Sequence, residues 1–390
     1  MRYLIIGGGI AGTTAVEELR KLDSSDEITL VSEEQHALYS RVLLPHYLKG
    51  KIPRERVFLK KESWYEEQKI EWVRGISVVK LDPKNTFVEL SDGRELPYDK
   101  LLIATGGELR TLGLDVRGVS YLRTLDDADH LNQLLAEQGS SCRGGVYGGG
   151  FIACEYINLF AHFGIPTTVI FRGNHFWSKG LEPEVGRLIN QHLIKKGVEL
   201  HPGGLFVDTM GERELTGFIS SLGEHPCTIL GVGIGIESDD GWLREAGVKV
   251  EAGIVCDEFL QTSEPNIFAA GDVAEFYDIN VGRHVRVGNW MNAQMQGRVV
   301  AKNMAGEKTV FSLVSSYATN ALGLEIIFVG DVSRAHADEV RLVGSVEQGG
   351  ITQLFSRAGQ LIGAVLVGRN TDRPIITKMI QEKRRASEFK

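Results

Sequence analysis

Two segments of the chain repeat one pattern of apolar and polar positions. A short apolar run, Tyr3–Ile6, enters the glycine-rich stretch Gly7–Gly12, after which apolar residues recur with helical spacing as far as Leu22. The run Gly145–Tyr147 enters a second stretch, Gly148–Glu155, with the same continuation. A short run without polar positions suits a parallel strand that is buried on both faces. Each segment therefore predicts a strand, a glycine turn and a helix.

The first glycine stretch has the spacing of a dinucleotide-binding turn. Gly7 permits the tight turn, Gly9 lets a pyrophosphate approach the backbone, and Gly12 lets the helix pack closely on the strand. The start of the helix supplies free N–H groups and partial positive charge. A second predicted strand, Glu27–Val31, is followed by Glu33, 21 residues after Gly12, where an acid binds an adenosine ribose.

The second glycine stretch repeats this spacing with Gly148, Gly150 and, at the third small position, Ala153. Its second strand ends differently, because Phe171 replaces the expected acid and Arg172 follows. An acid at this point binds the ribose 2′-hydroxyl of NAD, whereas an arginine can pair with a 2′-phosphate. The pattern favours NADPH, and use of NADH with a solvated Arg172 stays open.

Composition narrows the class of protein. A chain of 390 residues predicts two or three domains, and a net charge of −8 argues against general affinity for nucleic acid or membrane surfaces. No apolar run is long enough for a membrane span, and the N-terminus lacks the pattern of a signal peptide, so we expect a cytoplasmic protein. The four cysteines have no spacing that suggests a zinc site, and we expect no metal.

Two further segments carry a family resemblance. The stretches Tyr98–Gly107 and Thr262–Asp272, in order with the two glycine turns, resemble the pyridine nucleotide–disulfide oxidoreductase superfamily over essentially the whole chain. The resemblance implies an α/β fold with two Rossmann-like domains, which bind FAD and NAD(P)H, the second inserted in the first, plus a small C-terminal α+β domain. The implied FAD-binding residues are Gly7, Gly9, Ile10, Ala11, Gly12, Glu33, Arg41, Val78, Ala104, Thr105, Gly106, Arg123, Gly271, Asp272 and Trp290. The implied NAD(P)-binding residues are Gly148, Gly150, Phe151, Ile152, Ala153, Glu155, Arg172 and Gly233.

The subgroup is suggested by Tyr39–Leu44, which resembles rubredoxin reductases, oxygenase-coupled ferredoxin reductases and the FAD part of NAD(P)H nitrite reductases. Residues 1–141 contain no cysteine, so the disulfide relay of other members is not expected. The resemblance implies an NAD(P)H oxidoreductase that passes electrons through FAD to a ferredoxin, a rubredoxin or a metalloenzyme subunit. A peroxide-forming NAD(P)H oxidase and a slowly turning-over redox sensor stay open.

Three residues are catalytic candidates by this resemblance: His46, Glu155 and Trp290. Similar reductases often carry a lysine five residues after the position of Arg41, opposite the glutamate of the second glycine motif, and here that position is His46. We expect His46 and Glu155 to approach each other beside the flavin, although an ordinary loop histidine is an equal alternative. Trp290 opens a helix expected at the flavin and could stack on a cofactor ring or serve as core.

The expected domains are residues 1–110 and 241–308 for FAD, 111–240 for NAD(P), and 309–390 for the C-terminal domain. Strands are predicted at Glu325–Gly330, Thr352–Ser356 and Gln360–Gly368, with a final helix from Arg373 to Phe389. By resemblance, the last domain contributes to dimer or partner contacts. Two basic clusters could steer an acidic carrier protein or be solvated faces: Lys49, Lys51, Arg54, Arg56, Lys60 and Lys61, and Lys378, Lys383, Arg384 and Arg385.

Overall fold

A computed structural model describes residues 1–22, 25–345 and 347–390, with all their side chains except that of Ser140. The backbone forms two compact units. Unit 1 comprises Met1–Val42, Arg54–Glu108 and Glu237–Ser315, and unit 2 comprises Leu43–Pro53, Leu109–Ile236 and Ser316–Lys390.

The α-helices of the described residues are α1 (Ile10–Leu22), α2 (Leu44–Leu48), α3 (Glu62–Glu67), α4 (Leu125–Gln138), α5 (Phe151–His162), α6 (Pro183–Lys195), α7 (Gly241–Glu245), α8 (Trp290–Met304) and α9 (Arg373–Gln381). The strands are β1 (Arg2–Ile6), β2 (Glu27–Ser32), β3 (Glu71–Arg74), β4 (Val78–Asp82), β5 (Phe87–Leu90), β6 (Glu95–Pro97), β7 (Lys100–Ile103), β8 (Glu108–Leu109), β9 (Val119–Ser120), β10 (Gly144–Tyr147), β11 (Thr167–Phe171), β12 (Glu199–Pro202), β13 (Phe206–Met210), β14 (Gly217–Ser220), β15 (Gly223–Pro226), β16 (Ile229–Val232), β17 (Ile236–Glu237), β18 (Ile254–Cys256), β19 (Ile267–Ala269), β20 (Ala274–Asp278), β21 (Arg283–Arg286), β22 (Ser316–Ala321), β23 (Leu324–Gly330), β24 (Glu339–Ser345), β25 (Gly350–Arg357) and β26 (Gln360–Val367).

Unit 1 is built on a five-stranded parallel sheet with the order β19-β7-β1-β2-β3. Leu4 and Ile5 on β1 are almost fully buried, as expected of a strand covered on both faces. Two smaller sheets accompany it, β4-β5-β6 and β18-β20-β21. Because the strands of the main sheet are parallel, the turns after β1, β7 and β19 all leave from one edge.

Unit 2 contains a second parallel sheet of five strands, in the order β12-β11-β10-β16-β9. An antiparallel sheet, β22-β23-β26-β25-β24, forms a separate element of the same unit and packs α9 against β23 and β26. The turns after β10 and β16 leave from one edge of the parallel sheet. The two parallel sheets with their glycine turns confirm the predicted mixed α/β class with two dinucleotide folds.

The C-terminal helix is shorter than the sequence predicts. The expected helix runs from Arg373 to Phe389, but α9 ends at Gln381. Lys383 takes a left-handed φ of 52°, and the carbonyl of Arg384 accepts a hydrogen bond from the amide of Leu361 at 2.9 Å. The prediction was wrong at this end because pairing with the start of β26 replaces the helical hydrogen bonds.

The predicted domain boundaries stay a prediction. Both the segment Leu43–Pro53 and the C-terminal segment Ser316–Lys390 group with unit 2, whereas the sequence divides the chain into three parts. Among the described residues, no helix is both long and apolar enough to cross a membrane.

Candidate functional site

The first glycine turn is shaped by close backbone contacts. Gly7 has a left-handed φ of 115°, and a Cβ at this position would lie 2.2 Å from the carbonyl oxygen of Ala104. A Cβ at Gly12 would lie 2.0 Å from the carbonyl oxygen of Gly7. Glycine is therefore required at both positions. The backbone nitrogen of Thr105, the residue after Ala104, would also lie close to a Cβ at Gly7.

Gly9 lies between these two crowded glycines and faces open space. Its chain neighbours apart, no described residue has an atom within 4 Å of a Cβ placed there. Ile10 and Ala11 follow as the first residues of α1, whose first amides lack intrahelical partners. The crowded flanks, the open centre and the helix start fit the pyrophosphate of FAD.

A second loop packs on the same helix. Gly271 has a φ of 84°, and a Cβ there would lie 3.3 Å from that of Ala11. The Gly271 amide donates to Oε1 of Gln296 at 2.6 Å, and a Cβ at Gly297 would lie 2.4 Å from the Ala11 carbonyl oxygen. Helix α8 thus anchors the loop that carries Asp272 to the start of α1.

Gln296 has a function that sequence reasoning missed. It is fully buried and holds the Gly271 amide through Oε1, while its Nε2 has no hydrogen-bond partner among the described residues. On the preceding turn of α8, Oδ1 of buried Asn292 is likewise unpaired within the described chain. Two unpaired polar atoms beside a nucleotide loop fit the polar groups of a bound cofactor. In the sequence, the signal for this role was the pair of side-chain amides, Asn292 and Gln296, one helical turn apart.

The other predicted FAD residues of unit 1 lie around the ends of β2 and β7. Glu33 is exposed just after β2, and its Oε1 accepts a hydrogen bond from Ser77 Oγ at 3.1 Å. Val78 begins β4 directly after Ser77. Gly106, in the turn after β7, has a φ of 76°.

Arg41 is held by Glu34. Its Nη2 lies 2.5 Å from Oε1 of Glu34, whose other oxygen accepts a hydrogen bond from Tyr39. Sequence reasoning named Arg41 but missed Glu34, which holds the guanidinium at the end of β2. The role of Arg41 at a pyrophosphate stays a prediction.

Negative charge collects at this end of unit 1. Burial raises the pKa of the Glu108 carboxyl, and the carboxylates of Glu33, Asp239 and Glu237 raise it further. An added anion would be disfavoured here, whereas the hydroxyls of a ribose could donate to these oxygens.

The second glycine turn in unit 2 repeats the crowding of the first. Gly148 has a φ of 146°, and a Cβ there would lie 2.3 Å from the carbonyl oxygen of Gly233. A Cβ at Gly233 would in turn meet the Cβ of Ile152 at 2.9 Å. Ala153 is fully buried, so its methyl group fits where the first turn needs a glycine. This loop, too, fits a dinucleotide.

The centre of the second turn has one neighbour. A Cβ at Gly150 would meet Trp177 Nε1 at 3.7 Å, and Phe151 begins α5 immediately afterwards. At the end of β11, Phe171 is buried, whereas Arg172 is exposed and has no ion-pair partner within the described residues. Arg172 is therefore available to a ligand that binds at this strand end.

Glu155 faces a lysine. Burial raises the pKa of its carboxyl, and the Lys49 ammonium opposes that rise. Burial likewise lowers the pKa of Lys49, and Glu155 opposes this change. His46 is exposed on α2, and nowhere in the described chain does its side chain hydrogen-bond or ion-pair with Glu155. Lys49 is thus a cation that acts on Glu155, and the predicted approach of His46 to Glu155 stays a prediction.

Two further candidates lie apart from these groups. Trp290 is the first residue of α8 and is half-buried. The side chain of Asn289 caps this helix by accepting a hydrogen bond from the Asn292 amide. Within the described part of the chain, the Trp290 ring contacts no other aromatic ring. Arg123 belongs to unit 2, where its amide donates to Asp127 at 2.9 Å. The predicted roles of Trp290 and Arg123 with FAD stay predictions.

All four cysteines are free and buried. Burial raises the pKa of the Cys227 thiol to about 12 and raises the pKa of Cys142, Cys154 and Cys256. These thiols stay protonated near neutral pH and are poor nucleophiles. In residues 1–22, 25–345 and 347–390, no three side chains of His, Cys, Asp or Glu are grouped to hold a metal ion.

Comparisons with known proteins agree with this geometry. The pattern of the pyridine nucleotide-disulphide oxidoreductase family matches residues 1–297. The ferredoxin–NAD(+) reductase component of the p-cumate 2,3-dioxygenase system from Pseudomonas putida is 29% identical, with 98% of this chain and 94% of the relative covered. Rubredoxin-NAD(+) reductase from the same species is 30% identical, over 79% of this chain and 81% of the relative. Nitrite reductase [NAD(P)H] from Bacillus subtilis is 28% identical over 99% of this chain, which spans only 48% of that relative.

Solved structures extend the likeness to the whole fold. The putidaredoxin reductase chain of a covalent complex with putidaredoxin matches with a TM-score of 0.88 and 26% identity, over 98% of this chain and 93% of that chain. Because the family pattern covers most of the sequence and a 30% identical relative aligns along most of its length, the chain belongs to the pyridine nucleotide-disulphide oxidoreductase family and is an oxidoreductase that uses FAD and a nicotinamide nucleotide.

Proposed function

We propose that this protein passes electrons from NAD(P)H through FAD to an electron-carrier protein, a ferredoxin or a rubredoxin, or to a metalloenzyme subunit. The observation that carries the proposal is the state of the thiols: residues 1–141 hold no cysteine, and all four cysteines are buried. A relay through a reactive thiol pair therefore has no residues to use. The similarity to reductases that serve ferredoxin or rubredoxin supports a protein acceptor.

The chain's own contribution is binding and charge placement, because the redox chemistry belongs to the cofactors. When bound, FAD accepts two electrons from the reduced nicotinamide and can release them singly. Gly7, Gly9 and Gly12 would hold FAD at the start of α1, with Gln296 fixing the loop at Gly271. The turn at Gly148 and Gly150 would hold the nicotinamide nucleotide.

The preferred nucleotide is NADPH in this proposal. The end of β11 carries Arg172, exposed and without an ion-pair partner in the described chain, where an acid would select NAD. A guanidinium can form paired hydrogen bonds with a 2′-phosphate.

The Lys49 ammonium acts on the Glu155 carboxyl of the nicotinamide fold. A half-buried carboxylate next to a half-buried ammonium holds its charge better than either group alone. We assign to Lys49 the charge-balancing position that the sequence pattern gave to His46. His46 is exposed on α2, and its predicted approach to Glu155 stays a prediction.

The free state of all four cysteines supports a location in the reducing cytoplasm. The antiparallel sheet β22-β23-β26-β25-β24 and α9 are proposed as the interface domain, which would contribute to a homodimer or to contacts with a partner subunit.

The first experiment is anaerobic stopped-flow reduction of the purified FAD-loaded protein by NADPH and, separately, NADH. Loss of the oxidised-flavin absorbance after mixing with either nucleotide supports the proposal. In a second step, mixing the reduced protein with ferredoxin or with rubredoxin identifies the carrier. No bleaching by either nucleotide would contradict it.

Two outcomes would redirect the function. Rapid oxygen consumption without any carrier would favour a peroxide-forming oxidase. Slow reoxidation by every carrier, together with a change of oligomeric state upon reduction, would favour a redox sensor.

A further inference from the structure

Trp177 is held beside the second glycine turn by its backbone. Its amide donates to the carbonyl oxygen of Gly149 at 2.8 Å. Its φ is 49°, in the left-handed region that bulky side chains rarely adopt. Strain of this kind persists only where the surrounding structure imposes it, and such positions concentrate at ligand sites.

The indole ring is positioned by three aromatic neighbours in the same unit. Its centroid lies 5.2 Å from that of Phe151, 5.5 Å from that of Phe328 and 5.7 Å from that of Phe176. These contacts use the apolar faces and edges of the ring. These contacts do not use the indole N–H, so packing alone does not explain this polar group.

That N–H is buried and has no hydrogen-bond partner among the described residues. Buried polar groups in native proteins are almost always paired, and an exception indicates a missing water or ligand. Its nitrogen also lies 3.7 Å from a Cβ built on Gly150, where no other atom of the described residues, chain neighbours of the glycine apart, comes within 4 Å. In this turn the second glycine lacks a side chain so that a pyrophosphate can approach the backbone. The unpaired donor therefore borders the space that a phosphate oxygen would enter.

We propose that Trp177 is a nucleotide-binding residue whose indole N–H donates a hydrogen bond to the pyrophosphate of the nicotinamide nucleotide. This inference rests on the proposed use of NAD(P)H by the nucleotide fold of unit 2. The aromatic contacts to Phe151 and Phe328 hold the donor in place, and the phosphate supplies an acceptor that the described residues do not provide.

The test is isothermal titration of the oxidised, FAD-loaded protein with NADP+, NAD+ and ADP-ribose, which all carry the pyrophosphate and do not reduce the flavin. Trp177→Phe keeps an aromatic ring at this position and removes the indole N–H. We expect its Kd to rise about tenfold for every ligand that the wild type binds, a loss of about 1.4 kcal/mol. An unchanged Kd in this variant overturns the inference.

Trp242→Phe is the matched control, because it removes an indole N–H that donates to the Asp239 carbonyl oxygen at 3.2 Å in unit 1. Its nucleotide affinity should equal that of the wild type, and an equal loss in both variants would contradict a specific role for Trp177. Failure of the wild type to bind any of the three ligands would contradict the proposed function itself. Equal binding by wild type and Trp177→Phe would remove only the inference.

A measurement on the unaltered protein covers the case in which Trp177→Phe does not fold. In 15N-labelled protein, ADP-ribose should shift the Trp177 indole N–H resonance more than those of Trp64, Trp72, Trp242 and Trp290. Saturating ADP-ribose that leaves the Trp177 resonance in place would overturn the proposal.

Discussion

The two glycine turns share one motif but differ in how tightly the helix is seated. At the third small position, a Cβ at Gly12 would lie 2.0 Å from the Gly7 carbonyl oxygen. The equivalent Ala153 carries its methyl group in a fully buried position. Helix α1 therefore lies closer to its turn than α5 does. The tighter packing of α1 on its glycine turn suits an FAD that stays bound, and the looser packing of α5 suits a nucleotide that exchanges.

The two folds also differ in charge where the second strand ends. In unit 1, Glu33 follows β2, and carboxylates, Glu33 among them, raise the pKa of Glu108. In unit 2, Phe171 ends β11 and exposed Arg172 follows. An acidic end accepts hydrogen bonds from ribose hydroxyls, whereas a cationic end attracts phosphate. We therefore expect one backbone plan to serve two nucleotides through these two side chains.

The largest effect is expected from exchanging the third small residue. Gly12→Ala places a methyl group against the Gly7 carbonyl, which must displace α1, and overpacking of this kind costs about 1–3 kcal/mol. We expect FAD content to fall to about a tenth of the wild-type value or less, because a loss of about 1.4 kcal/mol in binding free energy lowers the affinity tenfold. The measurement is the ratio of flavin to protein absorbance after purification.

Two controls sharpen this comparison. Ala153→Gly should keep full FAD content. Gly9→Ala has free space for its methyl group in the protein, so it should fold normally yet bind FAD weakly, because the methyl group occupies the place of the pyrophosphate. Full FAD content in Gly12→Ala would contradict the closer packing of α1 on its glycine turn.

The next effect concerns Arg172. Arg172→Ala should raise the Kd for NADPH about tenfold, as expected for loss of a charged hydrogen bond of about 1.5 kcal/mol or more. The Kd for NADH should stay within about a factor of two of the wild-type value. Equal losses for both nucleotides would show that Arg172 does not read the 2′-phosphate. Exposed Lys195→Ala, on α6, is the charge control.

A smaller effect is expected from Lys49. Burial raises the pKa of Glu155 and Lys49 opposes that rise, so Lys49→Met should raise this pKa further. Protonated Glu155 then persists to higher pH, and the pH profile of flavin reduction by the nucleotide should move upward. The shift is measured by stopped-flow reduction between about pH 5 and pH 9, a range that extends to both sides of neutral pH.

Lys49→Arg keeps the charge and should keep the wild-type profile. His46→Gln separates the two candidates: a profile altered by His46→Gln but not by Lys49→Met would confirm the role that the sequence suggests for His46. A profile that neither variant moves would remove this pair from the reaction.

The smallest effect concerns docking. Within the basic clusters, Lys60 is paired with Glu17 at 3.1 Å, and Arg384 with Glu388 at 2.6 Å. Lys51 and Lys61 remain exposed. Lys51→Glu with Lys61→Glu should slow reduction of an acidic ferredoxin about threefold at low salt, with the difference vanishing at high salt. Lys195→Glu should not change the rate, and salt-independent reduction by the wild type would argue against steering.

The motif-bearing strands and helices could be predicted because their causes are local. The apolar runs of β1 and β10 and the glycine spacings are complete within short stretches of sequence. The bounds of α9 could not be predicted, because its last residues give up helical bonds to pair with Leu361. Strands β22 and β24 were not predicted, since they have fewer buried positions than β25 and β26 and depend on those neighbours for pairing.

The sequence by itself determined the class of fold and the two nucleotide turns, because each depends on residue types at fixed short spacings, and it shows that residues 1–141 contain no cysteine. Only the tertiary structure decided that Lys49 acts electrostatically on Glu155, that Gln296 holds the loop at Gly271, and that the Trp177 indole borders Gly150. These contacts join residues far apart along the chain, and their partners depend on the packing of complete helices and loops.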